Sequence, residues 1–361
     1  MSAEVRRDLQ PDPFFSICVP QHNRTSFLLE ALRSVAGQTF RSFEVCISDD
    51  RSTDGRGGEV VEFLQARGLS FVYRRRETNG RYDANLRSAL ALARGRYAFL
   101  LGNDDALAGP DTLGLLQAEL SRLGPVGLAI SNYEEYESGR RFERAPATGL
   151  LGSGPAAAVA LFRSLSFVSG LVLDTRAAQG RASAEWDGSE MYQVLVACRL
   201  VAGGLPAAAI RLVTVRKDIK LPGETVASYA IGPREATPLL TGRELPLARL
   251  GRLVASAVAP EAPPGERAGL EERAVAQVLA YPYPYWILEY RRVRSWRYAL
   301  SVCLGMTPRR VTAGLRLPWP GRLRLGALYA AVTAAGLLTP LALFDRLYPA
   351  LYALAKRSPA A

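Results

Sequence analysis

Two pairs of adjacent carboxylates carry the chemistry most easily read in this chain: Asp49 and Asp50 in ISDDRSTDG (47–55), and Asp104 and Asp105 in LLGNDDAL (100–107). Each pair follows an apolar run. The first lies in a turn-forming Ser, Thr, Asp and Gly context, where a carboxylate can accept hydrogen bonds from a nucleobase or ribose, or close an Asx turn or cap a helix. The second offers hard oxygen ligands to Mg²⁺ or Mn²⁺, cations that bridge readily to phosphates, or it caps the helix that follows. A third acidic stretch, EWDGSEMYQVLVACRLVAGG (185–204), sets Asp187 and Glu190 before a helix. An acid there can take a proton from a hydroxyl as general base, or offset the helix dipole. Other chemistries lack residues. The chain has one histidine, His22, and four scattered cysteines without a CxxC pair, so no His-ligated metal cluster, zinc site or disulfide framework follows. Lys217, Lys220 and Lys356 are its only lysines and none lies near the acid pairs, which leaves a P-loop or Schiff-base mechanism without support.

Alternating elements must position these acids. Apolar strands are predicted at 14–22, 43–50, 69–75 and 96–105, and helices at 25–36, 57–67, 83–94 and 111–123. Strands alternating with helices predict an α/β fold with a doubly wound, mostly parallel sheet, in which ligands bind beyond the carboxyl ends of the strands. Both acid pairs fall at such ends. Further strands are expected at 126–136, 166–175 and 207–216, and a helix at 189–202. Residues 221–280 read as a helical extension with a Pro-rich linker near 258–266, and 281–361 as a basic, apolar helical region.

Net charge sharpens that division. The total is +11, yet residues 281–361 hold twelve basic residues against Glu289 and Asp345, while 1–280 is nearly neutral. The basic tail is interleaved with long apolar stretches, unlike a solvated stripe for nucleic acid, so no nucleic-acid partner is expected. An anionic membrane surface fits better: Arg309, Arg310, Arg316, Arg322 and Arg324 precede the uncharged stretch 325–344, and Trp296, Trp319, Tyr329, Tyr348 and Tyr352 could sit at headgroup level. That stretch has the length of a single span, although its Ala, Gly, Thr and Pro content favours a buried or interfacial helix. The N-terminus has no apolar h-region, and the cysteine usage fits a reducing cytoplasm. The expected location is therefore cytoplasmic, peripheral on the inner face of the plasma membrane.

The order and spacing of these motifs resemble the inverting family 2 glycosyltransferases of GT-A fold. SICVPQHNRTSFLLEALRSVAGQTFRSFEVCISDDRSTDG is similar to that family's opening signature, and TNGRYDANLRSALALARGRYAFLLGNDD continues it, so the likeness covers 14–105. The resemblance implies a GT-A domain over 1–220, with 14–105 as the nucleotide-sugar half and 106–220 as the acceptor half. It implies that Asp50 binds the donor's base with support from Asp49, that Pro20 and His22 line the base pocket, and that Arg24, Asn79 and Asn85 belong to the donor site. Arg81 would reach the diphosphate, Asp104 would lie near the ribose, and Asp105 would hold a divalent metal. Asn103 stands where many members carry a first metal-motif acid. Glu190, followed by Arg199 and Gly203, aligns best with the general base. Met191 replaces the usual second acid, and Asp187 is the alternative base. SFVSGLVLDT and VRKDIKLPGET resemble, loosely, members that transfer deoxysugars to bacterial surface polysaccharides.

The implied activity is metal-assisted, inverting transfer of a sugar from a nucleoside-diphosphate donor to a hydroxyl of a saccharide or lipid-linked saccharide. The Asn103 and Met191 departures keep open a second reading, a non-catalytic nucleotide-sugar or glycan-binding member. A sugar nucleotidyltransferase shares the layout but needs a Gly-rich phosphate loop after the first strand, which PQHNRTS lacks.

Overall fold

A computed structural model describes residues 3–8, 10–224, 245–293 and 295–347 of the 361. Tyr348 and Tyr352 lie outside the described residues. One mixed sheet organises the first part of the chain. Its strands are β1 (Ala3–Arg7), β2 (Phe15–Gln21), β3 (Phe43–Asp49), β4 (Phe71–Arg75), β5 (Tyr97–Leu100), β6 (Ala106–Leu107), β7 (Leu128–Glu135), β8 (Arg141–Phe142), β9 (Gly149–Gly152), β10 (Leu171–Asp174) and β11 (Ala207–Lys217). The spatial order is β1-β4-β3-β2-β5-β10-β7-β11-β6.

The run β4-β3-β2-β5 is parallel, as the alternating pattern predicts. Beyond it β10 enters antiparallel to both β5 and β7. β11 then lies parallel to β7. The carboxyl ends of β2, β3, β4, β5 and β11 consequently share one edge. At the far side β1 pairs antiparallel with β4. Its sequence AEVRR is too polar to announce a strand; Glu4 ion-pairs with Arg74 across the register.

Strand residues alternate between two buried layers, which explains why these strands are apolar on both faces. Phe15, Ile17, Val19, Val45 and Ile47 face a cluster completed by Leu28 and Leu32 of α1 (Thr25–Ala36), Val60 and Leu64 of α2 (Gly57–Ala66), and Leu116 and Leu120 of α4 (Thr112–Leu123). Cys18, Cys46, Ala98 and Leu100 face the other cluster. There they meet Leu86 and Leu90 of α3 (Arg81–Leu92) and Val194 to Val201 of α7 (Tyr192–Ala202). Two short helices, α5 (Pro155–Leu161) and α6 (Thr175–Gly180), lie between.

That second cluster continues without a break into the later helices α8 (Pro246–Val258), α9 (Arg267–Ala280), α10 (Pro282–Val293), α11 (Trp296–Gly305), α12 (Pro308–Val311) and α13 (Trp319–Leu338). The Pro-rich stretch near 258–266 connects two helices in contact, α8 and α9. A boundary at 280/281 likewise falls inside one helical unit: Arg324 of α13 pairs with Glu272 of α9 at 2.6 Å, and Tyr283 of α10 bonds Thr333 of α13 at 2.7 Å. The stretch 325–344 is not one helix. α13 stops before Pro340, which lacks the N–H to continue it. Arg291 donates to the carbonyls of Gly336 and Thr339 at its end, both at 2.7 Å. A further helix, Leu341–Leu347, leaves at 103°. No single helix among the described residues is long and apolar enough to cross a membrane.

Candidate functional site

The loop after β2 holds the two acid pairs together. Gln21, the last residue of β2, accepts the Asn103 amide at 2.6 Å through its side chain and the backbone N–H of Asp50 at 2.8 Å through its carbonyl. The same carbonyl accepts Asn85 Nδ2 at 2.9 Å. His22 Nδ1 lies 3.1 Å from the Asp50 carbonyl, and Asn79 Nδ2 is 3.4 Å from His22 Nε2. The Asn23 N–H donates to Ser52 Oγ at 2.8 Å. Arg24 then reaches across to Asp104 at 2.8 Å. Four consecutive residues thus tie 50–53 to 103–104. Pro20 sits one residue earlier, at the end of β2. The acid pairs are 55 residues apart in sequence, and parallel pairing of β3 and β5 on either side of β2 is what brings them to one edge.

Asp49 and Asp50 are each only 2% exposed and are engaged within the protein. Asp49 accepts the Ser52 N–H at 2.7 Å, an Asx turn, and also the Tyr73 hydroxyl. Burial and that carboxylate push the Tyr73 phenol well up, so it remains a donor. Asp50 accepts the Gly80 N–H at 2.9 Å and pairs with Arg76. Tyr73 and Arg76 escaped the sequence reading. β4 ends in YRRR, and nothing in that run of arginines marks which one turns inward.

Asp105 is the more deeply buried acid of the second pair. Ser169 Oγ donates to its Oδ2, and the Asp218 N–H donates to its Oδ1 at 2.9 Å. Burial, followed by the charge of Asp104, raises its carboxyl to about 7. The bare Cα of Gly102 faces both acids: a Cβ there would stand 3.0 Å from Asp105 Oδ2 and 3.2 Å from Asp104 Oδ1. Ser169 is itself placed by Arg144, a fully buried guanidinium that donates to the carbonyls of Ser131, Phe167 and Ser169 at 2.6–2.7 Å. Ser169, Asp218 and Arg144 also escaped the sequence reading. The SFVSG and VRKDIK segments hinted at the first two, whereas Arg144 lies in a stretch (RRFERAP) without periodicity.

On the acceptor side, Asp187 is held by Arg87 of α3 in a two-pronged pair, Nη2 to Oδ2 at 2.7 Å. Glu190 is exposed, and its backbone N–H is fixed by Asp83 at 2.8 Å. Asp83 also accepts the Tyr192 N–H at 2.9 Å, closing the first turn of α7. Arg199 pairs with Glu185, and Gly203 caps α7. Arg81, at the start of α3, is exposed with no ion-pair partner among the described residues.

Backbone strain points to the same place. Among the described residues, six non-glycine residues are left-handed: Asn23, Arg24, Arg51, Arg81, Glu190 and Asp218. Five lie in the loops around the site, and Arg81 opens α3. Such conformations cost about 1–3 kcal/mol each and persist where surrounding contacts enforce them, commonly at functional sites.

Comparison with known proteins agrees with this geometry. The family model for glycosyl transferase family 2 matches residues 16–170. Abequosyltransferase RfbV of Salmonella typhimurium is 37% identical over 107 residues, 29% of this chain and 32% of that protein. A PGL/p-HBAD biosynthesis glycosyltransferase of Mycobacterium bovis is 34% identical over 120 residues, 33% of this chain and 46% of that protein. The chain thus spans less than half the length of these relatives. Among solved structures, S. aureus TarS 1-349 in complex with UDP superposes with a TM-score of 0.58 at 17% identity, covering 92% of this chain and 91% of that one. Mannosyltransferase PcManGT from Pyrobaculum calidifontis, in complex with GDP-Man and Mn²⁺, gives 0.50 at 17% identity over 97% and 88%. These likenesses establish the fold alone. Residues 16–170, which carry the acid-paired edge, match the glycosyl transferase family 2 model, and the architecture around them is a GT-A fold.

Proposed function

We propose that the chain transfers a sugar, with inversion, from a nucleoside-diphosphate donor to a hydroxyl of a saccharide or lipid-linked saccharide in bacterial surface-polysaccharide synthesis. The observation that carries this reading is the 21–24 loop, which binds both acid motifs into one edge. His22, Asn79 and Asn85 lie on the nucleoside side of that edge, with Pro20 beneath and Asp49 and Asp50 shaping the floor. Arg81, exposed at the start of α3, would reach the donor's diphosphate. Relatives of the same fold are described in complex with UDP or GDP-Man.

The acceptor hydroxyl loses its proton to Glu190 as its oxygen attacks the anomeric carbon. The bond from that carbon to the phosphate oxygen breaks on the opposite face, and the nucleoside diphosphate departs with the electron pair. Asp187 is the weaker candidate base because Arg87 occupies its carboxylate. Asp105, with Asp104 beside it, suits a divalent cation such as Mg²⁺ or Mn²⁺: two hard carboxylates reach the space over Gly102. When bound, such an ion would neutralise charge developing on the leaving diphosphate. We further place the enzyme at the cytoplasmic face of an anionic membrane, where a lipid-linked acceptor would be presented.

Release of nucleoside diphosphate from a panel of donors tests the reading. Turnover abolished by Asp105→Ala and by Glu190→Ala supports it. Donor binding without release, in the presence of candidate acceptors, supports instead the non-catalytic binding member.

A further inference from the structure

Exposed apolar side chains are concentrated in the last helices of the described chain. Eight of the eleven large hydrophobic residues exposed among those described lie in 296–347: Trp296, Leu300, Leu304, Trp319, Leu323, Leu338, Leu343 and Leu347. Two helical rows account for five of them. Trp296, Leu300 and Leu304 recur at intervals of four on α11, and Trp319 and Leu323 do so on α13. After Arg324 the outward residues of α13 are Ala327, Ala330, Ala331, Ala334, Ala335 and Leu338, with no charge among them.

A basic cluster adjoins these rows. Arg309, Arg310 and Arg316 are exposed and have no ion-pair partner among the described residues. A surface cavity of about 380 Å³ opens between α12 and α13, lined by Pro308, Arg309, Thr312, Leu315 and Arg322. The Arg322 guanidinium is steadied at its mouth by the Leu317 carbonyl at 3.1 Å. Trp319 and Leu323 flank Arg322 on the same helix, and Trp319 is 73% exposed.

We infer that α11, α12 and α13 form a docking surface for an anionic phospholipid bilayer, with a headgroup phosphate seated in the Arg309–Arg322 cavity. This deepens the membrane placement proposed above and does not depend on the transfer chemistry. Charge complementarity selects the occupant: arginines without acidic partners, bordered by indole and leucine side chains, match a layer with phosphate outside and acyl chains beneath. α13 would lie along the interface rather than cross it, consistent with its end at Thr339 and the 103° departure of the next helix.

Sedimentation of the full chain with vesicles tests this. Binding is expected to vesicles containing phosphatidylglycerol, to be at least tenfold weaker with phosphatidylcholine alone, and to fall as salt rises. Two variants with unchanged melting temperatures, Arg309→Gln/Arg310→Gln/Arg316→Gln and Trp319→Ser/Leu323→Ser, should each lose at least tenfold of that binding while keeping the donor-induced rise in melting temperature. Glycerol phosphate at millimolar concentration should not displace the protein from vesicles. Displacement would instead assign the cavity to a free phosphate compound. A Trp319→Ser/Leu323→Ser variant that halves the solution mass and leaves vesicle binding intact would assign the face to a second copy of the chain. Either result, or equal binding to both vesicle types, overturns the inference. Vesicle binding lost alongside an intact donor response would leave the site reading untouched.

Discussion

Asp83, on the donor-side helix α3, accepts the backbone N–H of Glu190 at 2.8 Å, so one carboxylate joins the nucleotide half to the proposed base of the acceptor half. It also holds the Tyr192 N–H at 2.9 Å, and Glu190 is left-handed between these anchors. Asp83 is therefore a positioning residue, 2% exposed and unable to touch substrate. Asp83→Asn should lower kcat more than tenfold while leaving donor KM within about twofold, since a misplaced base costs rate and not donor affinity. Equal loss in KM and kcat would point to general disruption.

The two acceptor-side acids should separate by readout. Glu190→Gln removes the proposed base, for which losses of roughly 10²–10⁴ in kcat are usual, and should leave the melting temperature nearly unchanged because the side chain is exposed. Asp187→Asn breaks the two-pronged pair with Arg87 and should instead cost stability, about 1–2 kcal/mol in a denaturant melt, with a smaller loss of rate. The reverse pattern would make Asp187 the base.

These assignments show what the sequence could and could not convey. Strands β2, β3, β4 and β5 and helices α1 to α4 were legible because their apolar spacing is strong and their acids fall at strand ends. β1 was not, since an edge strand of charged residues has no alternating core face. Asp187 and Glu190 look alike in the sequence; only the fold places Arg87 against one and backbone anchors around the other. Arg76 and Arg144 are two arginines among many, and what distinguishes them is burial. The sequence divides the helical region from 245 onward at 280/281 by its charge, yet its helices share one apolar cluster, which composition alone does not reveal.

Arg144 should act mainly through placement. Three carbonyls at 2.6–2.7 Å lose their donor in Arg144→Met, and an unsatisfied buried acceptor costs about 1–3 kcal/mol. The variant should melt at clearly lower denaturant. Among molecules still folded, release of the Ser169 carbonyl should raise the metal concentration giving half-maximal turnover, because Ser169 orients Asp105. An unchanged metal requirement would restrict Arg144 to stability.

Asp105→Asn removes a buried charge crowded by Asp104. The metal-free variant should melt above the wild type at about pH 8.5, above the raised value of about 7, where the wild-type side chain is a buried carboxylate and bears the desolvation cost. Mn²⁺ should raise the melting temperature of the wild type and not of the variant, and turnover should be lost. A Mn²⁺ response that survives the substitution would remove Asp105 from the metal site.

Asp83 also gives the molecule a pH signature whose sign follows from its surroundings. Burial raises its carboxyl above the ordinary aspartate value, with a smaller contribution from the charge of Asp187, and the backbone N–H groups of Glu190, Tyr192 and Gly188 only partly offset this. The folded state thus binds its proton more tightly than the unfolded state does. Its contribution to stability is complete below about pH 4, the unfolded value, and is lost as pH rises through the higher folded value. Asparagine does not titrate. The stability of the wild type minus that of Asp83→Asn, measured by urea unfolding at intervals from pH 4 to 7.5, should therefore fall as pH increases. A difference that stays flat or grows over that range would mean that the three N–H groups outweigh burial, and that Asp83 is an ordinary charged cap on the turn that presents Glu190.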